Sequence, residues 1–135
     1  MGLLVPNQGE AELLAVMVNL HAASDLVLHL FTGNLTPSLT TVVTDALLTE
    51  PSGGSGYAAI SLTGASWAVA TVSTITTATY PLQTFTFTSA VSVYGYYITN
   101  TAGTKLMWVE RFSGAPYTLP SGGGQIQVQP TINLA

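Results

Sequence analysis

The sequence predicts an all-β protein, a jelly-roll-like β-sandwich of about eight strands with an N-terminal arm and one short N-terminal helix. Three observations carry this. From Tyr57 onward, short runs rich in Thr, Val, Tyr and Phe recur between turn residues, and such side chains suit a pleated, half-buried surface. At the C-terminus Ile126, Val128, Pro130, Ile132 and Leu134 share one parity, and Gln125, Gln127, Gln129, Thr131 and Asn133 share the other. That alternation makes one strand face core and the other polar. Only one convincing stretch, near the N-terminus, has helical spacing. A chain of 135 residues is one ordinary domain, with residues 1–24 as arm and helix and residues 25–135 as sandwich.

Taken in order, Met1–Gly9 contains Pro6, Asn7 and Gly9 without a consistent period and reads as an extended, free arm. Glu10–Leu20 follows as a helix. Ala11, Leu14 and Val18 recur at helical spacing beside Leu13 and Met17, and Glu10 and Glu12 sit where the helix dipole favours acids. Leu26–Phe31 alternates with period two and ends at Gly33 and Asn34, as a strand does. Thr36–Glu50 reads as loop, with room for a short helix at Thr44–Leu48, and Pro51–Gly56 as a flexible turn. Further strands are expected at Tyr57–Leu62, Ser66–Val72, Thr74–Tyr80, Leu82–Thr88, Val91–Thr99, Lys105–Phe112 and Gln125–Leu134. Pro130 lacks a ladder donor, so the last strand should lie at an edge or bend there.

Two of these strands are apolar on both sides. Val91, Val93, Gly95 and Tyr97 share one parity and Tyr94, Tyr96 and Ile98 the other; Leu106, Trp108 and Phe112 oppose Met107 and Val109 in the same way. The Asn100–Gly103 turn joins them as a hairpin. Either a covering arm or loop packs on the second face, or that face is a subunit contact, for which Tyr, Trp, Phe and Met are the enriched types.

Charged residues make up 6% of the chain, against about a quarter in soluble proteins generally. None lies between Pro51 and Thr104. A surface so poor in charge does little to repel its own copies, so the chain reads first as part of an assembly. With a net charge of −4 and only Lys105 and Arg111 as cations, grip on a phosphate backbone is not expected. No apolar run approaches the roughly 18 to 20 residues of a membrane-spanning helix. Leu13–Leu20 is preceded by Glu10 and Glu12 and by no cation, so the start is expected to be that of a mature protein. The absence of cysteine removes disulfides, Cys-ligated zinc and thiol catalysis together.

Reactive constellations find little footing. His21, Asp25 and His29 are spaced four apart, but period two over Leu26–Phe31 denies them the helix that would align them as metal ligands. Ser55 lies in Gly53-Gly54-Ser55-Gly56-Tyr57, which lacks the last glycine of a nucleophile elbow. Gly122–Gly124 leads into a strand, whereas phosphate loops lead into helix N-termini. Glu110 and Arg111 are strand neighbours facing opposite ways, and no second carboxylate accompanies Glu110 in the central strands, as a glycosidase would need. No enzyme, catalytic residue, metal or cofactor is therefore expected. Asn34-Leu35-Thr36 matches a glycosylation sequon, a triplet that chance produces often in a Thr-rich chain. The aromatic set Tyr94, Tyr96, Tyr97, Trp67 and Trp108 suits sugar stacking or core packing equally.

At Tyr94-Gly95-Tyr96-Tyr97, Trp108-Val109-Glu110-Arg111-Phe112 and Pro116-Tyr117-Thr118-Leu119-Pro120-Ser121-Gly122-Gly123, the chain resembles small virion proteins of tailed bacteriophages. The opening Met1-Gly2-Leu3-Leu4-Val5-Pro6 and the C-terminal alternation extend the likeness over nearly the whole length. The resemblance implies a capsid cement or decoration protein on the outer surface of the head, made in the host cytoplasm. It implies contact with the major capsid protein and self-association as a homotrimer; from charge and hydropathy, neither nucleic acid nor a membrane is expected as a partner. On that reading the Met1–Gly9 arm and the Gly114–Gly124 loop reach neighbours. The candidate interface is Leu3, Leu4, Val5, Pro6, Tyr96, Tyr97, Trp108, Arg111 and Tyr117, and deleting the arm is expected to abolish capsid binding with the fold intact. The rival expectation is a tail-associated adhesion module with a carbohydrate-binding face on Trp108 and Tyr96.

Overall fold

In the computed structural model, which describes residues 3–134, the chain is all-β and sandwich-like with one N-terminal helix. The helix is α1 (Asn7–Met17), and eleven strands follow among the described residues: β1 (Leu26–Phe31), β2 (Ile60–Leu62), β3 (Ala68–Val72), β4 (Ile75–Thr79), β5 (Gln83–Phe87), β6 (Val91–Val93), β7 (Gly95–Asn100), β8 (Leu106–Arg111), β9 (Tyr117–Leu119), β10 (Gly124–Val128) and β11 (Thr131–Leu134). One sheet has the order β2-β1-β7-β8; the rest form the ladders β10-β5, β11-β4-β3 and β6-β9. Every ladder is antiparallel.

The C-terminal alternation holds as far as Pro130 and fails beyond it, where Thr131 and Ile132 are both half-buried and Leu134 is exposed; Pro130 explains the break. Ile126, Val128 and Pro130 are buried, but the strand divides at Pro130: β10 pairs with β5 and β11 with β4. Lacking an N–H, Pro130 cannot continue the ladder, while its carbonyl accepts from Tyr80 N at 2.9 Å. The expected Val91–Thr99 strand also divides, at Tyr94, whose N–H donates to Phe31 O and whose carbonyl accepts from Phe112 N. This break shifts parity, so Val93 joins Tyr96 and Ile98 in one core. In β8 the register skips Met107, pairing Ile98 with Trp108 and Thr99 with Leu106. That irregularity puts the consecutive Met107 and Trp108 into the same core and sends Leu106 and Val109 to the opposite face. The strict parity read for this strand from the sequence is corrected accordingly.

The main core lies between the four-stranded sheet and the smaller ladders, where Leu28, Leu30, Ile98 and Trp108 meet Tyr57, Phe85, Phe87, Ile126 and Val128. The second apolar face of the hairpin is filled within the chain: Phe31, Tyr97, Leu106 and Val109 pack against Leu35, Val43 and Leu48. A covering loop, rather than a subunit contact, occupies that face. The loop holds no helix at Thr44–Leu48. Two single turns close there through Asp45 N to Val42 O and Leu48 N to Asp45 O, and Asp45 Oδ1 takes the Leu47 N–H.

The expectation of a free arm is corrected most sharply, at residues 3–9; Met1 and Gly2 lie outside the described residues. Leu4 and Val109 exchange both backbone hydrogen bonds at 2.9 Å, which adds a bridge to the outer edge of β8. Pro6 is fully buried, and Leu3 and Val5 pack on the main core. Helix α1 starts earlier than read, at Asn7, because Pro6 O accepts from Glu10 N at 3.0 Å. Its first turn lies on β8: Gln8 Oε1 accepts from Leu106 N at 2.7 Å and Val43 N at 3.2 Å. A Cβ on Gly9 would sit 2.1 Å from Met107 O, so only glycine fits this approach. Arm and helix thus close an edge that would otherwise present unpaired strand groups. Deletion of residues 1–9 is expected to destabilise the fold by about 2–3 kcal/mol, roughly 10 °C in thermal midpoint for a domain of this size. Calorimetry checks this, and an unchanged midpoint would restore the free arm.

Candidate functional site

Of the residues that the sequence marks as an interface, most serve the interior. Pro6, Tyr96, Tyr97 and Trp108 are buried, and Leu3, Leu4 and Val5 are half-buried against the chain's own sheet. Arg111 is anchored internally, donating from Nη1 to Leu35 O at 2.8 Å and lying 5.1 Å from the Tyr94 ring centre. Tyr117 is the exposed member, at 49%. The aromatic face considered for sugar stacking dissolves as well. Trp67 packs edge-on to Tyr80 and Trp108, and Tyr97 stacks on His29 at 4.6 Å.

The polar groups near these aromatics stitch the covering loop to the sheet. Strand β2 pairs with β1 only as far as Leu28, which leaves the Leu30 N–H without a strand partner on that side. The Tyr57 hydroxyl accepts from it at 3.1 Å and donates to Glu50 Oε1 at 2.5 Å. Glu50 also holds His29 Nδ1 at 2.7 Å, and the other ring nitrogen meets Thr99 Oγ1 at 3.0 Å. The remaining candidates for chemistry are engaged apart from one another. His21 pairs with Glu12, Asp25 Oδ1 accepts from Gly64 N, and Ser55 Oγ donates to Ser52 O. Among the described residues no group of three or more His, Asp or Glu is placed to hold a metal. Glu110 accepts from the Tyr96 hydroxyl at 2.9 Å, and Gly123 occupies a turn at φ 79°.

Burial raises the Tyr57, Tyr96 and Tyr97 hydroxyls above the usual tyrosine value of 10.0, with Glu50 or Glu110 adding to the shift. The buried Trp108 Nε1 has no hydrogen-bond partner among the described residues. Each tyrosine stays protonated in the fold where it ionises in the unfolded chain. The unfolded state then binds fewer protons, so stability is intact below about pH 10 and falls above it. Each group contributes a slope of up to about 1.4 kcal/mol per pH unit. Urea unfolding from pH 8 to 12 should show this decline, less steep in Tyr97→Phe. An equal slope in that variant would remove Tyr97 from the account.

The exposed features lie elsewhere. All five residues of β3 are exposed on both strand faces, with Val69 at 69% and Val72 at 75%. Strand β3 ends the β11-β4-β3 ladder, so its outer backbone groups have no strand partner among the described residues. Ile75 and Leu134 add exposed apolar surface to the same ladder. On α1 and just beyond it, Leu13, Leu14, Met17, Val18 and Leu20 are exposed. Of these, Leu13 borders a cleft of about 230 Å³ whose walls also include Trp67, Met107 and Trp108, with Glu12 and Asp25 lining it. A second cleft, of about 410 Å³, lies between β9 and β10. Sequence reading missed β3 as a surface, yet a signal was present. Ala68-Val69-Ala70-Thr71-Val72 has no apolar and polar alternation and no charge, which does not fit a strand with one face in water and one in the core.

Comparison with protein-family models, with curated protein sequences and with solved structures returns no match. The class defined by fold and surface is therefore a sandwich-like all-β domain whose apolar strand edge and helix face lie open.

Proposed function

We propose that this chain is a non-catalytic structural subunit, of the capsid decoration type, which binds the outside of a phage head and bridges capsid subunits. The observation that carries the reading is β3. An uncharged Val- and Thr-containing edge strand, exposed on both faces and along its outer edge, is what natural proteins avoid unless a neighbour covers it. The same chain closes the edge of β8 with its arm and helix, so the contrast lies within one molecule. The absence of charge from Pro51 to Thr104 supports a contact between copies, since no like charges oppose it. The sequence resemblance to small virion proteins supports the capsid setting. The major capsid protein is the proposed partner and the homotrimer the proposed form, with α1 and β3 replacing the arm and Trp108 as contact elements.

Quantitative mass spectrometry of purified particles from the source tests this through copy number relative to the major capsid subunit. A ratio near unity is the expected result. A few copies per particle would move the protein to a neck or tail position, and complete absence from particles would overturn the virion reading.

A further inference from the structure

We propose that the cleft between β9 and β10 binds a neutral hexose unit, by stacking on Tyr117 and by hydrogen bonds to the carboxamides of Gln125 and Gln127. This site is separate from the buried Trp108 and Tyr96, and it does not depend on the capsid reading. Tyr117 is held in place. Its hydroxyl donates to Ser113 O at 3.0 Å, and its ring leans on Phe112 at 5.3 Å with an interplanar angle of 56°. Half of its surface nonetheless remains open, so an aromatic face is presented without a loose side chain to immobilise.

The polar partners stand on a paired strand. Gln125 and Gln127 project from the same face of β10, and the ladder to β5 sets their register through Gln125 opposite Thr86 and Gln127 opposite Thr84. Gln127 Nε2 donates to Thr84 Oγ1 at 3.3 Å, which leaves its carbonyl oxygen as an acceptor. The Gln125 carboxamide has no partner among the described residues and offers both donor and acceptor. Leu119 and Phe112 add apolar lining with Thr118 beside them, and Ile126, whose side chain faces the main core, also borders the cleft.

The ligand class follows from this lining. No Lys, Arg, Asp, Glu or His lines the cleft, so phosphates, acidic sugars and amines would be desolvated without a counter-charge. A flat apolar ligand would leave the two carboxamides unused. A neutral hexose has an apolar C–H face for the tyrosine ring and hydroxyls that donate and accept as a carboxamide does. A cleft of about 410 Å³ falls within the size range of small-ligand sites and holds roughly one or two such units.

The test is NMR titration of the full chain with methyl glucoside, galactoside and mannoside, alongside binding to neutral oligosaccharides immobilised through their reducing ends. The expected result is a set of shifts at Tyr117, Gln125 and Gln127, and binding about tenfold weaker in Tyr117→Ala. Because Tyr117→Ala can disturb β9, Gln125→Leu is the second variant; it replaces an exposed side chain in an intact ladder and should weaken binding similarly. Binding of free glycosides identifies a monosaccharide ligand, whereas binding only to immobilised chains identifies a glycan; either supports the site. No response to any probe, or undiminished affinity in Gln125→Leu, overturns it.

Discussion

Replacing both Val69 and Val72 by lysine is expected to abolish the proposed self-association while leaving the fold in place. The two positions are three residues apart in β3, so they face opposite sides of the strand. Both are largely exposed, so neither substitution touches the core, and each costs at most about 1 kcal/mol in strand preference. Any neighbour that covers this edge buries at least one of them. The charge must then be desolvated in a stretch that offers no acid between Pro51 and Thr104. Losing the burial of even one valine removes about 1.5 kcal/mol, roughly tenfold in affinity, before the cost of the buried charge is added. Sedimentation of the wild-type chain and of V69K/V72K checks this, with circular dichroism as the control for folding. If the variant associates as well as the wild type, β3 is not the contact.

Gly95→Ala is expected to be strongly destabilising, costing about 3 kcal/mol or more. Gly95 lies in β7 between Phe31 of β1 and Arg111 of β8. A Cβ there would meet Glu110 O at 2.1 Å and the Phe31 ring at 2.7 Å. The Glu110 contact is backbone in a paired strand, and Phe31 is fully buried against Leu35 and Tyr97, so neither can give way without parting the sheet. Total stabilities of about 5 to 15 kcal/mol make that loss large. Gly103→Ala is the comparison. It sits at φ 70° with nothing within 4 Å, and so incurs only the left-handed backbone cost of about 1–2 kcal/mol. Urea unfolding of the two variants should rank Gly95→Ala well below Gly103→Ala, and equal midpoints would refute the packing account.

How much of this was legible in the sequence differs from element to element. Strand β1 matches its expected range, because alternation and a Gly-Asn stop are local signals. The bend at Pro130 was legible for the same reason, since a missing N–H is a property of the residue. The break at Tyr94 was not, because it arises from hydrogen bonds to Phe31 and Phe112, one of them more than sixty positions away. Short strand β9 was read as loop, since its three residues gain their order only by pairing with β6. For the candidate surfaces, aromatic residues drew attention to β7 and β8, yet side chains that favour an interface also favour a core. Burial decided between the two.

By itself the sequence determined the all-β class, the single helix, the turn at Asn100–Gly103 and a mid-chain surface without charge, all of which depend on residue type and near-neighbour period. Tertiary structure decided which edges are closed. The arm turned back onto β8 because Leu4, Pro6, Gln8 and Gly9 complement it in hydrogen bonds and shape, and the loop between β1 and β2 took the second apolar face. Strand β3 stayed open because no other segment among the described residues reaches it. Composition can report that apolar strands exist, but which of them find a partner within the chain depends on contacts between residues far apart in sequence.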